Sequence, residues 1–184
     1  MRMTTESIIE QTQCWLKNII IGLNFCPFAN RELINNSIRY FVSEEKTLEP
    51  SLQHLAAEFE YLNKHNTTET SLLIFSHSFS DFDDFLELID FANQLLDDLN
   101  YSGIYQLAHF HPDYCFADAK PDDASNYTNR SPYPTLHIIR EKSLQLAIEN
   151  HPNTADIPNT NIKLANKLGL AKMQSLLAAC KNKT

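Results

Sequence analysis

A chain of 184 residues, 43% apolar and 21% charged, has the length and make-up of one globular domain that buries about 70% of its unfolded surface, which argues against disorder and against a division into two domains. Fifteen basic against twenty-three acidic side chains give a net charge of −8, with Lys and Arg scattered along the chain, so nucleic acid and anionic membranes, which recruit clustered positive charge, are not the expected partners. Cys14, Cys26, Cys115 and Cys180 lie far apart and form neither a disulfide framework nor a zinc ribbon.

The start, Met1-Arg2-Met3-Thr4-Thr5-Glu6, leads into no small-residue cleavage site, and no apolar run reaches the roughly 18 residues of a membrane span. Free thiols and a cytoplasmic location are therefore expected. Ile8, Trp15, Ile19 and Leu23, flanked by Leu16 and Ile20, fall at helical spacings and predict an amphipathic helix. It should stop before Gly22-Leu-Asn-Phe-Cys-Pro-Phe28, a turn packed by its own aromatics.

Ile38 to Val42, β-branched and aromatic, reads as the first strand. Thr47 is the expected N-cap of a helix carrying Leu48, Leu52, Leu55, Phe59 and Leu62. Ser71 to Phe75 is apolar enough for a strand covered on both faces. Ser80 is the expected cap of a third helix with Phe82, Phe85, Ile89, Ala92 and Leu96, ended by Gly103. Ile104 to Phe110 follows as the third strand, and the C-terminal part returns to helix in two segments parted by Gly169. This order predicts an α/β or α+β domain, residues 1–184, with a three- to four-stranded sheet between N-terminal and C-terminal helices. A βαβαβ core with right-handed parallel crossovers is one arrangement; a ferredoxin-like one with antiparallel pairing is the alternative.

Between Ala108 and Arg140 periodicity fades into a long, proline-punctuated polar stretch, of the kind that often carries function. Ile21-Gly-Leu-Asn-Phe-Cys-Pro-Phe-Ala29, Phe110-His-Pro-Asp-Tyr114 and Asn126-Tyr-Thr-Asn-Arg-Ser-Pro-Tyr-Pro-Thr-Leu-His137 together give the chain a resemblance, over nearly its whole length, to a bacterial family known only as domain of unknown function, family 1415. The resemblance implies no activity. It places Cys26, His111, Asp113, Asn126, Asn129, Arg130 and His137 in motif positions, whereas His109 and Cys115 depart from the family's pattern.

Three chemistries fit these residue types. His109 and His111, two apart at a strand end, would leave the same face and hold a divalent metal, completed by Asp113, His137, Asp122 or Asp123; ordinary hydrogen bonding accounts for them equally simply. Cys26 is a nucleophile if His111 serves as its base, and a core plug otherwise. Arg130 and Arg140, with Asn126, Asn129, Thr128 and Ser131 and walls of Tyr127 and Tyr133, would clamp a carboxylate or phosphate, or else satisfy the loop's own backbone. Asp122-Asp123 suits a turn cap better than an acid/base pair. Three glycines, none in a phosphate-binding loop, and the absence of Gly-x-Ser-x-Gly and His-Glu-x-x-His exclude the motifs built on them.

The expected function is an enzyme or ligand-processing domain for a small anionic metabolite at the C-terminal end of the third strand. His111 is its acid/base group or metal ligand, Asp113 the orienter, Cys26 an outside catalytic member, and Asn126, Asn129, Arg130, Tyr133 and His137 its binding residues. The alternative is a non-catalytic module for a ligand or protein.

Overall fold

The computed structural model describes residues 4–151 and 153–182; Met1, Arg2 and Met3, with which the sequence reading of the start begins, lie outside them. Four six-residue strands, β1 (Ile38–Ser43), β2 (Thr70–Phe75), β3 (Tyr105–Phe110) and β4 (Thr135–Arg140), form one sheet in the order β1-β2-β4-β3. The domain is mixed α/β with helices at both ends, as expected. β1 and β2 pair in parallel, joined by α3 (Leu48–Lys64). β4 pairs antiparallel with β2 and β3, so β3 runs parallel to β2 without touching it. The stretch after β3 therefore returns the chain into the centre of the sheet, where Leu136 and Ile138 are fully buried.

Strand alternation sends two sets of side chains to two different cores. Phe41, Leu73, Phe75, Tyr105, Leu136 and Ile138 pack on Leu55, Phe59 and Leu62 of α3 and on Phe85, Leu88 and Ala92 of α4 (Phe82–Asp98). Asp81 rather than Ser80 caps α4, its carboxylate accepting from the backbone N–H groups of Asp83 and Asp84, which suits a charge at the positive end of the helix. Thr47 occupies the N-cap position of α3 without a side-chain capping bond. A buried ion pair ties the same layer together: Arg39 on β1 meets both carboxylate oxygens of Glu58 on α3 at 3.1 and 2.8 Å, and Ser71 donates to Glu58 as well.

The other face is covered by α1 (Thr5–Trp15), which runs on into a π-helical turn at Leu16–Ile21, and by α2 (Ala29–Ile34) and α5 (Glu141–Glu149), while α6 (Ile157–Leu168) and α7 (Leu170–Lys181) complete the layer. Gly22 closes the π turn because an added Cβ there would meet the Asn18 carbonyl oxygen at 2.5 Å. Trp15, Ile19, Ile20 and Phe25 share a second core with Tyr127, Ala165, Met173 and Leu177. α2 and α5 carry no buried residue, and at six and nine residues both are short.

Candidate functional site

The motif stretch after β3 folds inward rather than standing off as a surface loop. Its centre, a 3-10 turn at Ala124–Thr128, is buried throughout. Asp123 caps that turn by accepting from the Ser125 N–H at 2.8 Å, and this bonding lowers its carboxyl pKa. Asn126, fully buried, accepts from the Phe116 N–H at 3.0 Å and donates to the Lys120 carbonyl at 2.8 Å. Arg130 donates through Nε to the Tyr114 carbonyl at 3.0 Å and through Nη2 to that of Pro121 at 2.8 Å, with its guanidinium 4.7 Å from the Tyr127 ring centre. Tyr133 donates its hydroxyl to Gln11 at 2.6 Å, and the Asn129 carbonyl accepts from the His111 N–H. The Asn126 and Arg130 side chains of the anticipated clamp thus hold main chain in place.

His111 is buried with both ring nitrogens engaged. Nδ1 accepts from the backbone N–H of Asp113 at 3.0 Å, and Nε2 lies 2.9 Å from the carbonyl of Phe79. A backbone N–H only donates and a carbonyl only accepts, so the proton sits on Nε2 and the ring is neutral. Burial against Phe82 and Phe85 lowers its pKa, opposed by the Phe79 carbonyl and by Asp113 and Asp81. Asp113 is exposed and bonds His111 through its main chain. His109, on the same face beside Phe85 and Tyr114, is shifted down by burial and by His111. Among the described residues no group of three or more His, Cys, Asp or Glu comes together to hold a metal.

Cys26 and His111 lie on opposite sides of the sheet. Phe110 faces the α1 layer, so by alternation His109 and His111 face α4, and the proposed thiol–imidazole pair does not form. Burial raises the Cys26 pKa, although the backbone N–H groups of Phe28 and Ala29 pull it down. The thiol is therefore protonated near neutrality.

What Cys26 does line is a cavity of about 260 Å³ between the sheet and the helices α1, α2 and α5. Trp15, Leu16, Ile20, Leu72, Ala108 and Phe110 make most of its wall, and Cys26, Thr70, His137, Glu32, Glu69, Ser143 and Arg140 bring polar groups to it. Arg140 spends its guanidinium on the Thr68, Leu62 and His65 carbonyls and on the Tyr105 hydroxyl. Glu69 accepts from Ser143 at 2.6 Å, and Glu32 accepts from Ser37. His137 bonds Thr70 through Nε2 at 2.6 Å, and among the described residues Nδ1 has no hydrogen-bond partner. Desolvation lowers its pKa to about 4.

The family described as Protein of unknown function (DUF1415) matches residues 7–175. The chain belongs to this family. The match takes in every strand, the residues that line the cavity and the hydrogen-bonded stretch after β3. No curated protein and no solved structure matches the chain. No helix among the described residues is long and apolar enough to cross a membrane.

Of the residues that sequence reasoning singled out, the structure brings Cys26 and His137 to the cavity and Asn126, Asn129, Arg130 and His111 to the stitched loop. It separates those two groups. Thr70, Trp15 and Phe110 were missed as site residues. The signal for them is the period of two that places Thr70 with Leu72, Ala108 with Phe110, and His137 with Ile139 on one face.

Proposed function

We propose that this chain binds a small, uncharged, largely apolar molecule carrying one hydrogen-bond donor, seated in the cavity with that donor on Nδ1 of His137. The observation that carries the reading is an apolar hollow whose cation, Arg140, is already bonded to protein oxygens, and whose central imidazole keeps an acceptor nitrogen without a protein partner. Protein interiors are otherwise close-packed, with few voids larger than water. At 260 Å³ the hollow is slightly smaller than the roughly 300–1,000 Å³ of sites for drug-sized ligands, so it suits a molecule of fragment size. An anion is disfavoured there because His137 is neutral at pH 7 and Glu32 and Glu69 add negative charge. An anionic-metabolite site around His111 and Arg130 finds less support, since the bonds described above already occupy those side chains. A reducing, cytoplasmic setting goes with this reading, because none of the four cysteines is in a disulfide.

Calorimetry with three matched probes tests it. 1-Naphthol should bind, naphthalene should bind several-fold more weakly, and 1-naphthoate should bind weakest at pH 7. Preference for the naphthoate, lost on replacing Arg130, would restore the anionic reading.

A further inference from the structure

The sulfurs of Cys14 and Cys180 lie 3.2 Å apart although 166 positions separate them in the chain. Cys14 is in the last turns of α1 and Cys180 in the last turn of α7. Both side chains are buried thiols outside any disulfide, with 5% and 0% of their surface exposed, and the two helices pack directly against each other. A disulfide needs its sulfurs at about 2.05 Å, so bonding asks for roughly an ångström of approach by two side chains already aimed at one another. Chance placement of two cysteines in a core does not require this. The remaining thiols sit elsewhere: Cys26 beside the cavity, and Cys115 against the Phe116 and Ala119 carbonyls in the stretch after β3.

We propose that Cys14 and Cys180 form a reversible disulfide site, a redox clasp that pins the first helix to the last. In the reduced chain the pair holds α1 against α7 by packing and by a weak S–H···S hydrogen bond. Hydrogen peroxide supplies the oxidising equivalents. The thiolate of one cysteine attacks a peroxide oxygen, the O–O bond breaks, and a sulfenic acid and water result. The second thiolate then attacks the sulfenic sulfur, the S–S bond forms, and the S–O bond breaks with hydroxide leaving as water. Two thiols lose two electrons and two protons, and one peroxide becomes two waters. Access comes through the last turn of α7, since helix ends open more readily than helix centres. Closing the ring between residues 14 and 180 constrains nearly the whole unfolded chain, the condition under which a cross-link removes most chain entropy. It also fixes Trp15, the next residue after Cys14, in the cavity wall. The clasp stands on the cysteine geometry and not on what the cavity binds.

The test treats the full chain with hydrogen peroxide, blocks remaining thiols by alkylation, and maps peptides under non-reducing conditions. The expected result is loss of two of the four free thiols, a single cross-link between the Cys14 and Cys180 peptides, and full reversal by dithiothreitol. The oxidised chain should melt several degrees above the reduced one. Cys180→Ala should lose both the cross-link and the rise, while Cys26→Ser and Cys115→Ser should keep both. Four retained thiols, a link through Cys26 or Cys115, a link between two chains, or sulfinic acid at Cys14 or Cys180 without a link would each overturn the proposal. Because the mapping is done on the unaltered chain, a variant that fails to fold does not shield it.

Discussion

The Thr70 hydroxyl lies 2.6 Å from Nε2 of His137 and 2.6 Å from the Ile138 carbonyl. One hydroxyl hydrogen serves one acceptor, and the carbonyl can only accept, so Nε2 must be the donor to Thr70. A residue on β2 thereby fixes the tautomer of a residue on β4 and leaves Nδ1 as the acceptor. Thr70→Val removes that constraint and leaves a ring donor without its partner. It should lower stability by about 1–3 kcal/mol and weaken 1-naphthol binding. Chemical unfolding and calorimetry on the same variant check both parts, and unaltered affinity would show that tautomer control has no bearing on binding.

Acid should destabilise the fold through His137. Its folded pKa of about 4 lies below the ordinary histidine value of about 6.5. Between those values the unfolded chain holds a proton that the folded chain refuses, so stability falls as pH drops through the window. The full shift corresponds to at most about 3 kcal/mol. His109 and His111 are displaced in the same direction by burial and add to the slope. Urea unfolding from pH 7.5 to 4.5 should show this loss, and His137→Leu should reduce the slope by about one proton. An equal slope in the variant would remove His137 from the account.

His111→Ala should act on stability and not on the cavity. It deprives the Phe79 carbonyl and the Asp113 N–H of their partner and empties space against Phe82 and Phe85. The cost is roughly 2–4 kcal/mol from unpaired buried groups and lost packing. Phe79 has a left-handed backbone, with φ of 56°, a conformation that persists only when its surroundings hold it. The β2–α4 turn should therefore exchange amide hydrogen faster in the variant. A variant of normal stability that loses a measurable activity would return His111 to a chemical role.

Arg130→Lys tests whether the stitched loop is architecture. Lysine cannot reach two carbonyls in the planar fork that guanidinium offers, and it loses the stacking over Tyr127. A loss of about 1–2 kcal/mol is expected, with earlier proteolysis between Cys115 and Asp123 and unchanged 1-naphthol affinity. Resistance to protease equal to the parent would contradict the stapling role.

The strands and long helices were legible because each carries its own period. β2 is apolar from Leu72 to Phe75, and α4 repeats Phe85, Ile89, Ala92 and Leu96 on one face. β4 was harder to read: Thr135-Leu-His-Ile-Ile-Arg140 follows a proline-rich segment, and its antiparallel place between β2 and β3 depends on pairing that local sequence does not encode. The polar motifs were legible as special but not as to why. Asn126, Arg130 and His111 are the same residue types whether they grip a ligand or their own main chain, and only partner geometry separates the two. The cavity was illegible because its walls come from α1, α2, α5 and all four strands, and a hollow arises from what distant side chains fail to fill.

Ala108 offers the most direct test of that hollow. It sits on β3, is the cross-strand partner of His137 and lines the cavity. Ala108→Leu projects added methyl groups into apolar space rather than into packed core, so it should stabilise the chain by roughly 1–2 kcal/mol. The same atoms occupy volume that a ligand needs, and 1-naphthol affinity should fall at least tenfold. A rise in melting temperature together with lost binding identifies the cavity as the site. If the chain is stabilised and still binds 1-naphthol as tightly as before, the ligand sits elsewhere and the binding proposal fails.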